Sequence, residues 1–426
     1  MIRILKYGQV SEDEIFARAV SQVDVSATVR EIIQVVRTQG DQALFDYTAR
    51  FDGAALGTLQ VSPAELDAAI AVVEPEFLRV LETAAERIRA FHSRQVRPSF
   101  VMTEQPGVVL GQRVIPIDKV GLYVPGGTAP LPSTVLMTAI PAKIAGCREI
   151  VMVTPPGRDG KINAAILAAA KVAGVDKIFK LGGAQAVAAL AYGTESVPRV
   201  DKIVGPGNAF VAEAKRQVFG QVSIDMIAGP SEILVVADES CNPAHLAADL
   251  LSQAEHDKLA SAVLVTDSES LALAVQAQIE EQLPKLAREE IARASIDNNG
   301  KIIVAEDLRA AIQISNALAP EHLELCVNNP FDYLNEVRHA GSVFLGKHCP
   351  EALGDYYAGT NHTLPTSGTA RFSSPLSVDD FVKKSQFTYY TRDALAEIAE
   401  DVALFARKEG LTGHARSAVI RTEDTQ

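Results

Sequence analysis

VVLGQRVIPIDKVGLYV (108–124), STVLMTAIPAKIAG (133–146), REIVMVTPP (148–156), AAILAAAKVAG (164–174), DKIFKLGG (176–183), AQAVAALAYG (184–193), DKIVGPG (201–207) and NAFVAEAKRQVFG (208–220) follow one another along the chain. Short runs rich in Val and Ile alternate with helix-length segments, and this spacing predicts a parallel sheet covered by helices on both faces. Beyond SIDMIAGPS (223–231) the alternation resumes with EILVVADES (232–240), AHLAADLLSQAEHD (244–257), SAVLVT (261–266), KIIVA (301–305), DLRAAIQISNALA (307–319) and HLELCV (322–327). A second α/β unit is expected there.

Working outward, SEDEIF (11–16) opens a helix with a Ser cap and an acidic first turn, and VREIIQVVRTQG (29–40) repeats apolar residues three and four apart up to Gly40. The segment from Ser11 to about Ala90 therefore reads as mostly helical. GDYYAGTNHTLPTSGTARFSS (354–374) is too polar for a core element and long for a connection, the signature of a functional or disordered loop. DALAEIAEDVALFARKEG (393–410) returns to helix. No solenoid-length repeat is present.

Composition narrows the function classes. The 426 residues are 47% hydrophobic, enough for two or three cores. A net charge of −13 repels phosphate backbones and anionic membranes, so no nucleic-acid or membrane partner is expected and the ligand is small. The absence of Trp and an aromatic share of 6% also count against a base-stacking surface. The start, MIRILKYGQVSEDEIF (1–16), has no basic region followed by a long apolar stretch. Cys147, Cys241, Cys326 and Cys349 are scattered, without a CxxC pair. Free thiols in a reducing, cytoplasmic compartment are expected.

Four places could carry chemistry. In LLSQAEHD (250–257), Gln253 and His256 are neighbours on one helical face, an amide oxygen and an imidazole able to ligate a metal, or equally a polar helix end. In LAPEHLEL (318–325), Glu321 and His322 pair a carboxylate with an imidazole at the mouth of a strand. Such a pair can work as acid and base near neutral pH, helped by the habit of α/β folds of binding ligands beyond strand ends, although strand edges also carry such pairs idly. The polar loop offers Asp355 and His362, or is an ordinary solvated loop. In EGLTGH (409–414), Glu409 and His414 bracket a Gly-rich break that a simple turn would also explain. Helix starts follow the clusters VPGGTAPLPS (124–133), LGGAQA (181–186) and GPGNAF (205–210), offering backbone N–H groups to phosphates, yet no G-x-G-x-x-G occurs in these segments. Residue chemistry alone thus reads as an α/β enzyme with an anionic or nucleotide ligand.

Taken jointly and in order, VGLYVPGGTAPLPSTVLMTAIPAKIAGC (120–147), LGGAQAVAALAYGTESVPRVDKIVGPGNAFVAEAKRQV (181–218), IDMIAGPSEILVVAD (224–238), DLLSQAEHD (249–257), APEHLEL (319–325), GDYYAGTNHTLPTSGTARF (354–372) and EGLTGHARSA (409–418) resemble the histidinol dehydrogenase family over nearly the whole chain. The resemblance implies an α/β fold of two incomplete Rossmann-like parallel-sheet domains with small helical N- and C-terminal segments. It divides the chain into an N-terminal segment 1–28, a first α/β domain 29–120 plus 231–370, a second, NAD-binding domain 121–230 and a tail 371–426. It implies a NAD-dependent, Zn²⁺-containing oxidation of L-histidinol through L-histidinal to L-histidine, the last steps of histidine biosynthesis.

By the same resemblance, the zinc ligands are Gln253, His256, Asp355 and His414. His322 is the base that takes the hydroxyl proton, and Glu321 activates water for the second oxidation. Ser231, His362 and Glu409 contact substrate, as do Gln253, His256, His322, Asp355 and His414, and Tyr123, Gln185 and Asn208 contact NAD. The resemblance also implies a homodimer in which the tail carrying Glu409 and His414 completes the neighbouring site. Two other readings stand beside it: a related dehydrogenase of another polar alcohol such as a sulfonated diol, and a two-lobed non-enzymatic binding protein.

Overall fold

The computed structural model describes residues 1–18, 24–126 and 130–423. Part of the expected N-terminal segment (19–23), part of the cluster VPGGTAPLPS (127–129) and the last residues of the tail (424–426) lie outside the described residues. The strands are β1 (Arg3–Lys6), β2 (Phe100–Met102), β3 (Val108–Pro116), β4 (Lys119–Tyr123), β5 (Glu149–Thr154), β6 (Lys177–Lys180), β7 (Lys202–Val204), β8 (Ser223–Ile224), β9 (Glu232–Ala237), β10 (Ser261–Thr266), β11 (Lys301–Val304), β12 (His322–Cys326), β13 (Ser342–Leu345) and β14 (Val382–Tyr390). The chain divides into one compact unit of residues 1–95 and 117–381 and a smaller one of 96–116 and 382–426.

Two parallel sheets organise the larger unit. The five-stranded sheet runs β6-β5-β4-β7-β8 and the six-stranded sheet β1-β11-β10-β9-β12-β13. Leaving aside the edge strand β1, both have the same winding: the first strand of each, β4 or β9, lies in the middle, the next two go to one side, and the chain then crosses to the other side. That is the Rossmann order, with the crossover at β4/β7 in one sheet and β9/β12 in the other. The central strands are buried on both faces, β9 along its whole length, as expected of parallel strands sandwiched between helices.

Where the chain departs from the expected division, packing supplies the reason. The N-terminal segment 1–28 reads as helical, but Arg3–Lys6 forms β1, pairing parallel with β11. Residues 29–120 were expected with 231–370, but Val29, Ile32, Ile33, Val36 and Leu44 join the core around β5, β6 and the helix Gly183–Tyr192. Leu81, Ala85 and Ile88 of the helix Pro75–His92 join the core around β4 and the helix Pro132–Ala145. The apolar stripes of these helices thus cover the five-stranded sheet, and their pattern says only that they need a sheet, not which one. The tail 371–426, expected to be helical, contains β14.

In the smaller unit β14 pairs antiparallel with β3, and β3 with β2. The helices Arg392–Lys408 and Thr412–Val419 pack on each other through Ala403, Ala406 and Ala415. Phe100, Val101, Met102, Tyr389, Phe405 and Leu411 stay exposed.

A buried ion pair braces the turn after β7. Lys215, at 2% side-chain exposure, pairs with Asp225, also at 2%, and donates to the Gly205 carbonyl at 3.0 Å. Asp225 Oδ2 accepts the Gly205 N–H at 2.7 Å. Gly205 has φ +114°, and a Cβ there would lie 2.1 Å from the Tyr123 carbonyl oxygen. Replacing Lys215 by Met strands a buried carboxylate, so denaturant unfolding is expected to show a loss of about 3–5 kcal/mol.

Candidate active site

The site grows from the amino end of the six-stranded sheet. β12 begins at His322, directly after Glu321, and His322 stands opposite Ile233 of β9. Glu321 Oε2 accepts the Glu232 N–H at 2.8 Å, which pins its carboxylate at the start of β9. The acid–base pair was expected at the mouth of a strand; it lies at the amino ends, not at the carboxyl ends where open α/β sheets usually bind ligands. The reason is the topology around it. The helix Pro243–Ala254, capped by Asn242, runs back from the carboxyl end of β9 and delivers Gln253 to the amino ends, one turn of chain before β10.

His322 is enclosed by polar groups. Its Nδ1 is 3.0 Å from the Glu232 carbonyl oxygen, 2.9 Å from Gln253 Nε2 and 3.6 Å from Glu321 Oε2. Its Nε2 is 3.6 Å from Asp355 Oδ1 and has no hydrogen-bond partner among the described residues. Asp355 lies in the helix Glu351–Tyr356, whose first residue also reaches the site. Glu351 accepts the Ser252 hydroxyl at 2.8 Å and faces Gln253 Nε2 at 3.4 Å, and its own N–H donates to the buried Glu324 at 2.7 Å. Ligating atoms of His322, Glu351 and Asp355 lie within 4.8 Å of one another. Gln253 Oε1 is buried and without a hydrogen-bond partner.

The charges in this pocket perturb one another. Burial pushes the Glu321 carboxyl up to about 8, with His322 and the Glu232 N–H pulling the other way. Burial alone would lower His322, but Glu321 and Asp355 outweigh it and raise the imidazole to about 10. Burial would raise Asp355, yet its contact with His322 and the imidazoles of His362 and His322 hold it down to about 2. Glu351 is raised by burial and by Asp355 to about 7. Crowding by protein atoms lowers His256 and His362, which favours their neutral, lone-pair-bearing forms.

The other expected residues fall in distinct places. His256 does not lie within the helix; the helix ends at Ala254, and the His256 N–H closes a turn onto the Gln253 carbonyl at 3.1 Å. Its ring, at the exposed rim, feels the Asp355 carboxylate and His322. Ser231 immediately precedes β9, and its carbonyl accepts the Ser261 N–H at 3.0 Å. His362 Nδ1 faces the Asp355 carbonyl at 3.1 Å, and its Nε2 lies 3.2 Å from Thr134 Oγ1 in the helix Pro132–Ala145. Asn361 donates to Met137 of the same helix at 2.7 Å. That helix starts beyond the carboxyl end of β4, so the loop 354–374 ties the amino end of one sheet to the carboxyl end of the other.

At that carboxyl end stand the three residues expected to contact a dinucleotide. Tyr123 ends β4, and its hydroxyl accepts the Gly183 N–H at 3.0 Å; burial raises it to about 12. Gln185 sits in the first turn of the helix Gly183–Tyr192 with its Oε1 buried and without a hydrogen-bond partner among the described residues. Asn208 follows β7 and caps the helix Ala209–Val218 through Phe210 and Val211. Tyr123 and Asn208 thus flank the β4/β7 crossover.

Glu409 ends the helix Arg392–Lys408 and His414 lies in Thr412–Val419, both exposed, in the smaller unit; the cluster above is built from the larger unit without them. Sequence reasoning does not single out Glu351 or Glu232. Glu351 was detectable in EALGD (351–355), where two carboxylates stand one helical turn apart. Glu232 carried no local signal.

The comparisons with known proteins identify the family. The family model described as histidinol dehydrogenase matches residues 17–422. The chain belongs to the histidinol dehydrogenase family. It is 58% identical over 403 residues to a histidinol dehydrogenase of Syntrophotalea carbinolica, covering 94% of this chain and 93% of that one. It is 53% identical over 426 residues to one of Clostridium acetobutylicum, covering 99% of each. The crystal structure of histidinol dehydrogenase from Elizabethkingia anophelis matches with a TM-score of 0.94 at 40% identity, covering 99% of this chain and 98% of that one. The α/β fold and the assignment of the chain as an oxidoreductase of histidine biosynthesis follow from this membership.

Proposed function

We propose that the chain oxidises L-histidinol through L-histidinal to L-histidine, using two NAD⁺ and one Zn²⁺. The observation that carries this reading is the meeting of the Glu321–His322–Asp355 cluster with the β4/β7 crossover through the His362–Thr134 contact. A hydride donor held at the cluster and an acceptor held at the crossover would be neighbours. A binding protein has no need of such a base, and a diol substrate no need of an imidazole-binding metal pocket.

The donor set fits zinc. Gln253 offers a buried oxygen with no hydrogen-bond partner among the described residues, Asp355 a carboxylate held low and His256 an imidazole whose neutral form burial favours, a mixed O and N set that suits Zn²⁺. In this reading Gln253, His256, Asp355 and a partner's copy of the His414 position hold the metal. Zinc would supply a positive charge that orients the substrate's imidazole and amino nitrogens, and the dinucleotide an acceptor for hydride. A cation here also opposes the three carboxylates that raise His322, bringing the imidazole back towards a useful base.

His322, with Nδ1–H donated to the Glu232 carbonyl, presents a free Nε2 lone pair to the substrate and takes the hydroxyl proton as hydride leaves the carbinol carbon. Glu321 takes a proton from water as it adds to the aldehyde, and His322 serves again when the hydrate is oxidised. Ser231, His362 and Glu409 position the substrate. Tyr123, Gln185 and Asn208 hold the dinucleotide, the unpartnered Gln185 oxygen supporting a ligand there.

The homodimer belongs to the same reading. It is supported by the exposed apolar residues of the smaller unit, which a partner would cover, and by the exposure of Glu409 and His414. A cytoplasmic location is supported by four free cysteines. Burial raises Cys147 and Cys241 to about 11, which makes them poor nucleophiles.

The test is the NADH yield of purified, zinc-loaded protein with limiting L-histidinol, followed by absorbance. Two NADH per histidinol are expected, lost on chelation and restored by Zn²⁺. One NADH with released aldehyde would refute the role of Glu321, and none would refute the substrate.

A further inference from the structure

The N-terminal segment reaches the floor of the site. Lys301, the first residue of β11 and 3% exposed, donates from Nζ to the Ile15 carbonyl at 2.9 Å and the Ala17 carbonyl at 2.8 Å. These two bonds fasten the chain at the amino end of the six-stranded sheet just before Arg18, whose guanidinium pairs with the Glu232 carboxylate.

Glu232 is itself unusual. It is 9% exposed, its Oε2 has no hydrogen-bond partner among the described residues, and its main chain holds both residues of the acid–base pair. The N–H binds Glu321 Oε2 at 2.8 Å and the carbonyl faces His322 Nδ1 at 3.0 Å. A second buried carboxylate so close to Glu321 opposes the ionised form of Glu321 unless a cation answers it.

We infer that Arg18 and Glu232 are positioning residues for the second oxidation: Arg18 neutralises Glu232, so that Glu321 can be held by the Glu232 main chain and still ionise to activate water. The inference rests on the proposed role of Glu321. The charged and titratable neighbours are few. Glu321 is faced by His322, Glu232 and Asp355, and Glu232 by Arg18 with the Ser367 N–H. Arg18 in turn shares its surroundings with Lys301, itself near Arg3 and Glu14.

The experiment measures oxidation of L-histidinal and of L-histidinol separately against pH, in the zinc-loaded enzyme. Arg18→Met is expected to move the rising limb for L-histidinal up by about one pH unit, costing about tenfold in kcat at a fixed pH on that limb, with KM unchanged. Oxidation of L-histidinol to the aldehyde should change much less. Arg18→Lys should retain most of the rate, and adding Glu232→Gln to Arg18→Met should return the limb to its place. Should Arg18→Met fail to fold, Glu232→Gln alone serves, and the limb should then move down, the opposite direction. An unmoved limb in either single variant, or a double variant no better than Arg18→Met, overturns the inference. Glu321→Gln is the control: if it leaves L-histidinal oxidation intact, the reading of Glu321 has failed, and the inference falls with it.

Discussion

Replacing His322 by Asn is expected to slow oxidation of L-histidinol by a factor of about 10²–10⁴, with zinc content and melting temperature little changed. Asn can still meet the Glu232 carbonyl or Gln253, which are 3.0 and 2.9 Å from Nδ1, so the strand start keeps a hydrogen bond. What it loses is the Nε2 lone pair, which has no hydrogen-bond partner among the described residues and faces Asp355 at 3.6 Å. Both half-reactions should fall together, because the same base serves each. Glu321→Gln should differ, sparing the first oxidation and stopping at the aldehyde. Stopped-flow absorbance with each substrate separates the two. Equal loss of both steps in Glu321→Gln would sink the division of labour.

The pH dependence has a defined sign. Glu321 and His322 act as bases only when deprotonated; without a cation, burial raises Glu321 to about 8, and against the pull of burial Glu321 and Asp355 raise His322 to about 10. Rates should therefore climb with rising pH. The cation in the reading lowers both values, so the limb should lie at lower pH in the zinc-loaded enzyme than in any weakly active metal-depleted form.

The second large effect concerns the tail. A mixed dimer of one His414→Ala chain and one His322→Ala chain is expected to recover about half the activity of the unaltered dimer, while each variant alone stays near background. If tails are exchanged, the His414→Ala chain keeps its own His322 and receives an intact tail, giving one complete site. If each tail serves its own chain, no site is complete and the mixture stays inactive.

Much of this protein was legible in its residues. The alternation from 108 to 220 and again from 232 to 327 marks two parallel sheets, because strands buried on both faces must be apolar throughout and the helices between them must be long enough to cross over. The joint order of APEHLEL, DLLSQAEHD and GDYYAGTNHTLP carries the family, and with it a set of chemically plausible ligands. The stripe of Val29, Ile32, Ile33 and Val36 announces a helix with one face to bury.

What only the tertiary structure decided is which partners those elements meet. An apolar stripe has no address, so residues 24–92 could not be assigned to the five-stranded sheet from their pattern. VKKSQFTYY (382–390) buries no continuous face, so β14 shows little alternation and is specified by its pairing with β3. Finally, Arg18, Glu232, Glu321 and Glu351 are scattered along the chain, and a buried carboxylate acquires its meaning from the charges placed beside it. Local residue chemistry determines which groups are available; long-range packing determines which of them share one desolvated pocket.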